Sequence, residues 1–128
     1  MKLDIDCVRD VLLEFEEFPV SCLTPYDFKK SIKKHGETAV EYTLAKLDEA
    51  GYIRADIRAF HNGQYEYYGI FDITFSGHQF LEKIRDHKVW SKTKSVADAV
   101  GSRAFDIIAQ IATSVITEIV CRQLNLPL

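Results

Sequence analysis

The feature that most constrains the fold is an Asn62-Gly63 pair between two segments rich in β-branched and aromatic residues. This pair favours a β-hairpin because both tip positions can adopt positive φ angles. If the pair forms a two-residue loop, the resulting register predicts one buried face and one outward face. The predicted buried face consists of Ile53, Ala55, Ile57, Ala59, Tyr68 and Ile70. The predicted outward face consists of Arg54, Arg58, Phe60, Tyr65, Tyr67 and Phe71.

Helical patterns surround this hairpin. Residues 3–17 carry an apolar residue at every fourth position, which predicts an amphipathic helix. Thr24-Pro25 indicates the start of a second helix that runs to about Lys34, and a third helix spans roughly 37–50. Residues 20–23 are a candidate edge strand, and Thr74 caps a fourth helix. This order predicts an α+β fold, a winged helix composed of a helix-turn-helix and a β-hairpin wing.

The remainder of the chain ends in a strongly apolar segment. Residues 86–102 fit either a short helix or an ordered crossing, and Gly101 marks the clearest late break. The last helix, about 102–124, has only two charged residues between Ala104 and Cys121. We reject a transmembrane helix because a carboxylate inside a bilayer is costly. The predicted domains are a winged-helix domain over 1–100 and an apolar C-terminal helix over 101–128.

A helix as apolar as this last one needs a surface that covers it. Two arrangements are open: packing within the same chain and packing against a second copy. We favour a homodimer, because the terminal helices of winged-helix regulators often form dimers. The predicted dimerisation residues are Ile108, Ile111, Val115, Ile116 and Ile119.

The two ends of the first hundred residues resemble one family. The opening run from Met1 to Glu16 is similar to one end of its pattern. The other end is carried by Thr74, Gly77, His78, Phe80, Leu81, Ile84, Arg85, Asp86, Val89, Trp90 and Lys92. The family consists of small bacterial and prophage-encoded proteins classified as a domain of unknown function. The resemblance implies a winged-helix fold and a bacterial or phage origin, and it supplies no catalytic residues.

The charge pattern bears on nucleic-acid binding, which winged helices often perform with their third helix and wing. The third helix has four carboxylates and one lysine, a balance of −3 that phosphates would repel. The second helix carries four lysines against Asp27, and the hairpin adds arginines beside tyrosines. The predicted nucleic-acid-binding residues are Lys29, Lys30, Lys33, Lys34, Arg54, Arg58, Tyr65 and Tyr67. The alternatives are a solvated lysine face and cross-strand Arg–Tyr packing.

The sequence gives little support for catalysis. Its four histidines and three cysteines lack the spacing of a metal site, and no phosphate-binding loop or nucleophile motif occurs. His78 with Asp72 or Asp86 could form an acid–base pair, but nothing places a nucleophile beside it. We therefore predict no enzyme activity, no cofactor and no metal. The N-terminus lacks a secretory signal pattern, which predicts a cytoplasmic location.

Two functions follow from these patterns. The first is a regulatory nucleic-acid-binding protein that acts as a homodimer and recognises little sequence. The second is a protein–protein interaction module without DNA binding, in which the acidic third helix and the aromatic wing meet a protein partner. A membrane anchor formed by the last helix is a third possibility, and we expect no membrane contact.

Overall fold

A computed structural model describes residues 1–19 and 22–127 of the chain. Within these residues the elements are α helices, one 3₁₀ turn and a two-stranded antiparallel sheet. In chain order they are α1 (Ile5–Phe15), the 3₁₀ turn (Pro25–Asp27), α2 (Lys29–His35), α3 (Glu37–Glu49), β1 (Ile53–Ala59), β2 (Tyr65–Ile73), α4 (Phe75–Ile84), α5 (His87–Val100) and α6 (Phe105–Gln123).

The chain divides into two compact units, Met1–Gln79 and Phe80–Leu128. The first unit contains α1, α2, α3 and the β1–β2 hairpin. Leu23 forms an isolated antiparallel bridge with Ile70 of β2. This order is that of a winged helix, with the hairpin as the wing, so the predicted fold is confirmed. Its fully buried side chains include Val8, Leu12, Phe28, Leu44, Leu47 and Ile70.

The second unit groups the end of α4 with α5 and α6. This grouping begins well before Gly101, because α5 packs along α6. The assignment of separate domains over 1–100 and 101–128 stays a prediction. The segment 86–102, which fitted two interpretations, is a helix: Asp86 caps α5 by accepting from the N–H of Val89 at 3.0 Å, and Gly101 ends it with φ 86°.

The predicted second helix consists of two pieces. Thr24 and Asp27 form the expected capping box around the 3₁₀ turn, and α2 begins only at Lys29. Between them Phe28 leaves helical geometry, with ψ 59°. Its ring is fully buried in edge-to-face contact with Phe15 and Phe18, at centroid distances of 5.4 and 5.3 Å. Burial of this ring decides where α2 begins, which a local start signal cannot show.

The predicted hairpin register is wrong near its tip. Phe60 and Gln64 pair across a three-residue loop, His61 to Gly63, in which Gly63 has φ 82°. Two register shifts then occur within the ladder, one between Arg54 and Ala55 and one between Asp56 and Ile57. A shift of one residue moves a side chain to the opposite face.

The shifted register exchanges the faces of the wing tyrosines. Tyr67 lies directly opposite Ile57, and Tyr65 lies opposite Ala59. Tyr68, predicted to be buried, is instead 50% exposed. The inner strand positions nearest the helices agree with prediction, since Ile53 and Ile70 are buried.

Thr74 caps the start of α4 as predicted, and its side chain also binds the loop that follows α3. The Thr74 hydroxyl donates to the carbonyl oxygen of Gly51 at 2.6 Å and accepts from the N–H of Gly77 at 3.1 Å. At Gly77 an added Cβ atom would lie 2.0 Å from the carbonyl oxygen of Tyr52. Phe75, the first residue of α4, is 77% exposed and does not contribute to the core.

In the second unit, the start of α6 is well covered and its end is not. Phe105 stacks on Phe80 at 5.1 Å, and Ile108 and Ala112 are fully buried. The C-terminal end of α6 is more exposed. Its apolar side chains Ile119, Val120 and Leu124 are exposed. Within the described residues, no helix is both long and apolar enough to cross a membrane.

Candidate nucleic-acid interface

A buried carboxylate on α1 fixes the position of α2. Glu14 accepts hydrogen bonds from the backbone N–H groups of Lys30 and Ser31, at 2.9 and 2.8 Å, and from the Ser31 hydroxyl at 2.7 Å. These N–H groups lie in the first turn of α2, where a helix lacks internal acceptors. Glu14 therefore acts as a cap supplied from another helix, and it sets which lysines of α2 face α1.

Lys30 and Lys34 form one row of α2, and both are paired with α1. Lys30 lies 2.9 Å from Glu17, and Lys34 lies 3.1 Å from Asp10. The hydrogen bond that Lys30 donates to the Glu17 carboxylate raises the pKa of Lys30. Asp10 also contacts the Nε2 atom of His35 at 2.7 Å. Phosphates would have to compete with these carboxylates for the two lysines.

Lys29 and Lys33 form the other row of α2, and they are not paired with α1. Both are exposed on α2 and stand four residues apart, so they are neighbours on its surface. Among the described residues the structure gives neither lysine a carboxylate partner. Of the six predicted basic residues, these two are the ones left without an intramolecular ion pair.

The wing arginines are engaged within the sheet. Arg54 contacts Asp72 at 2.6 Å. Arg58 contacts Asp56 at 3.4 Å and lies 4.2 Å from the ring centroid of Tyr68. These contacts fit the alternative of cross-strand packing, in which the arginines stabilise the outer face of the hairpin.

Tyr67 and Tyr65 are placed toward α3 by the register shift. The Tyr67 hydroxyl donates to the backbone carbonyl oxygen of Glu41, which fastens the wing to α3. Burial of this side chain raises the pKa of Tyr67 far above its ordinary value. Tyr65 lines a cleft beside Glu41 and Tyr42. The contact between Tyr68 and Arg58 was not predicted, because which tyrosine lies on the outer face depends on the bulges in the strand pairing.

The exposed side of α3 is acidic, as the sequence indicated. Lys46 pairs with Glu49 at 2.9 Å, which leaves Glu37 and Glu41 one turn apart at the other end of the helix. Burial, together with the charge of Glu37, raises the pKa of Glu41. Burial also raises the pKa of Asp48. This face repels phosphates and cannot supply the donors that read bases in a major groove.

The five predicted dimerisation residues fall into three groups. Ile108 is fully buried within its own chain and is therefore not available to a second copy. Ile111, Val115 and Ile116 are half-buried. Ile119 is 42% exposed. Of the five residues, Ile119 is therefore the most available to a second copy.

Candidate catalytic groups do not assemble into a recognisable site. His78 and Asp72 both line a cavity of about 340 Å³ in the first unit, but Asp72 is already paired with Arg54. Across the described ranges, no group of three His, Cys, Asp or Glu side chains could hold a metal ion. The role of Glu14 as a cap for α2 was not predicted either. Its signal was present, because Glu14 follows Cys7 and Val11 along the apolar stripe of α1.

The fold places this protein among winged-helix proteins of the α+β class. The chain matches the model of a family described as "Hypothetical protein (DUF2513)" over residues 2–103, and it belongs to that family. It is also similar to the crystal structure of a "putative transcriptional regulator" from Thermoplasma acidophilum, with 19% identity and a TM-score of 0.45. That similarity covers 77% of this chain and 93% of the other chain. No curated protein matches the sequence.

Proposed function

We propose that this protein is a regulatory winged-helix protein that binds nucleic acid through the phosphate backbone. The observation that carries the proposal is the exposed Lys29–Lys33 row of α2, which has no carboxylate partner in the described part of the chain. Two neighbouring cations on one helix face can contact phosphates of one strand without reading bases. Lys30, Lys34, Arg54 and Arg58 contribute less, because each is held by a carboxylate.

The same geometry sets the strength and specificity of binding. The acidic face of α3 keeps that helix away from the major groove, so sequence is recognised poorly. Tyr67 and Tyr65 are turned toward α3 and are not presented for base stacking. We therefore expect weak, salt-sensitive binding in which Lys29 and Lys33 provide the main contacts.

A salt titration tests this proposal directly. Binding of a labelled duplex DNA is measured by fluorescence anisotropy between low and moderate salt. If each protomer neutralises two phosphates, log K falls with log salt with a slope of about −1.8 for one protomer and about −3.6 for a dimer that uses both rows. Use of all six predicted cations would give about −5.4 and about −10.8. Absence of binding at low salt would contradict the proposal and favour the protein–protein interaction module.

The two lysine rows supply matched variants. Lys29→Ala/Lys33→Ala should remove most of the DNA affinity, because it removes the unpaired cations. Lys30→Ala/Lys34→Ala changes the net charge by the same amount on the same helix, and it should retain most of the affinity. Equal losses in the two variants would show that the distinction between the rows is wrong.

We further propose that the regulator is a homodimer joined through the C-terminal half of α6. This proposal is supported by the exposure of Ile119, Val120 and Leu124 on a helix that has few charges. A dimer would present two Lys29–Lys33 rows and strengthen a weak contact through avidity. Light scattering on the intact protein over a range of concentrations measures the mass. The cytoplasmic location and the bacterial or phage origin stay predictions.

A further inference from the structure

A groove of about 370 Å³ lies between α5 and α6, within the second unit. Val96 from α5 and Ile111 and Val115 from α6 provide its apolar lining. These three side chains are half-buried, so part of their apolar surface remains in contact with water. A surface of this kind gains stability when another apolar surface covers it.

The exposed apolar end of α6 is too small to hold a dimer by itself. Ile119, Val120 and Leu124 are between 42% and 62% exposed. A stable interface buries about 800 Å² on each partner, and three partly exposed side chains supply only a fraction of that area. The groove adjoins this end of the helix, because Glu118 lines it. A dimer formed through α6 therefore needs the groove as part of its contact surface.

The two walls of the groove carry opposite charges. Lys92 lines it from α5, and Glu118 lines it from α6. Lys92 and Lys88, one turn apart on α5, are exposed, and among the described residues neither has a carboxylate partner. Glu118 contacts Arg122 through one carboxylate oxygen, Oε1, which leaves Oε2 for a second cation. The α5 wall is therefore positive, and the α6 wall offers an acceptor.

These charges distinguish between two ways of pairing the copies. In a two-fold homodimer the same surface of each copy contacts the other. A two-fold axis along the groove places the α5 wall of each copy over the α6 wall of the other, so Lys92 faces Glu118 twice. An axis across the groove places α5 over α5, where the lysines repel each other. Charge complementarity favours the first arrangement.

We infer that the groove between α5 and α6 docks onto the same groove of a second copy, with Lys92 of each copy paired to Glu118 of the other. Val96, Ile111 and Val115 form the apolar centre of this interface, and the two ion pairs form its rim. This inference rests on the proposed homodimer and specifies the surface that joins it.

The test is charge reversal followed by mixing of the two variants. Lys92→Glu and Glu118→Lys should each weaken dimerisation at least about tenfold, because each brings like charges together at two contacts per dimer. An equimolar mixture should recover the dimer, since a heterodimer of the two variants contains both opposite-charge pairs. Sedimentation equilibrium at low salt measures the masses of the intact proteins, at concentrations where the wild type is dimeric.

Lys83→Glu and Glu82→Lys are the matched controls. They make the same changes in net charge on α4, outside the groove. Each should dimerise within about twofold of the wild type, and mixing them should change nothing. Equal weakening by the controls, or no recovery on mixing the groove variants, would overturn the inference. A monomeric wild type would refute the homodimer itself, whereas a dimer that tolerates both groove reversals would overturn only the assignment of its surface.

A second readout does not depend on charge. Ser114 is exposed and lines the groove, whereas the neighbouring Thr113 is exposed outside it. Ser114→Trp should weaken dimerisation at least about tenfold, because the indole ring occupies the space that the second copy needs. Thr113→Trp should leave the dimer intact, and circular dichroism checks that both variants keep the helical fold. If Ser114→Trp dimerises like the wild type, the groove is not the interface.

Discussion

Glu14 and Ser31 are joined twice: the carboxylate of Glu14 accepts from both the backbone N–H and the hydroxyl group of Ser31, at 2.8 and 2.7 Å. Both residues are buried, so neither set of hydrogen bonds can be replaced by water. Through this contact an acidic residue on α1 determines how α2 is rotated. The division of the α2 lysines into a paired row and an unpaired row depends on that rotation.

We expect Glu14→Ala to lower the free energy of unfolding by about 2–3 kcal/mol. The substitution leaves the buried N–H and hydroxyl groups of Ser31, and the partly buried N–H group of Lys30, without their acceptor. Glu14→Gln keeps one acceptor oxygen and should cost less. Urea denaturation measures the change, and Glu17→Ala, which removes an exposed ion pair, serves as the control with an effect below about 1 kcal/mol. Equal effects at positions 14 and 17 would contradict the capping role.

Gly77→Ala is expected to destabilise the protein by about 3 kcal/mol or more. The new Cβ atom would meet the carbonyl oxygen of Tyr52 at 2.0 Å, so the backbone of α4 must shift. At Gly69 the clashing atoms belong to the ring of Phe71, a 40% exposed side chain that can rotate away. Gly69→Ala should therefore lower the free energy of unfolding much less than Gly77→Ala. Thermal unfolding of the two variants measures the difference. A mild effect at Gly77 would show that the α4 junction is looser than the structure indicates.

Tyr67→Phe should lower the free energy of unfolding by about 1 kcal/mol, because it removes the hydrogen bond to the carbonyl oxygen of Glu41. The raised pKa of Tyr67 also predicts a pH dependence. Since the folded state holds this proton more tightly than the unfolded state, its contribution is complete below about pH 10 and is lost as the pH rises above that value. The unfolding free energy of the wild type should fall more steeply above pH 10 than that of Tyr67→Phe. Parallel curves would contradict the assignment.

Glu37→Lys/Glu41→Lys should increase the affinity for duplex DNA at low salt. The change replaces two phosphate-repelling groups on α3 with two cations, and it should steepen the salt slope by about 1.8 if both reach phosphates. Glu82→Lys/Asp98→Lys makes the same change in net charge in the second unit and is the matched control. If the control gains as much affinity, net charge and not the α3 face limits DNA binding.

Ile119→Ser should weaken the proposed dimer while leaving the fold intact, because this side chain is 42% exposed. Ile108→Ala should instead lower the unfolding free energy by about 2–4 kcal/mol, because that side chain is fully buried in its own chain. Light scattering and denaturation on both variants separate the two effects. A wild-type protein that is monomeric at high concentration would refute the dimer.

Local signals in the sequence correctly located most of the helix ends. Thr74 caps α4, and Gly101 ends α5 with a left-handed conformation. The start signal at Thr24 opens the 3₁₀ turn and not α2, which begins at Lys29. The predictions at Thr74 and Gly101 succeed because a cap depends on a few consecutive residues and on their own backbone groups. The winged-helix order follows from the same local information.

The features that bear on function were decided by tertiary contacts. Burial of Phe28 splits the second helix, and the bulges in the hairpin exchange Tyr67 with Tyr68 between its faces. Carboxylates distant in the sequence neutralise Lys30, Lys34 and Arg54. The sequence therefore determined the elements and their order, since these depend on local periodicity and capping. Only the tertiary structure decided which charges remain free, because an ion pair depends on where two separate segments meet.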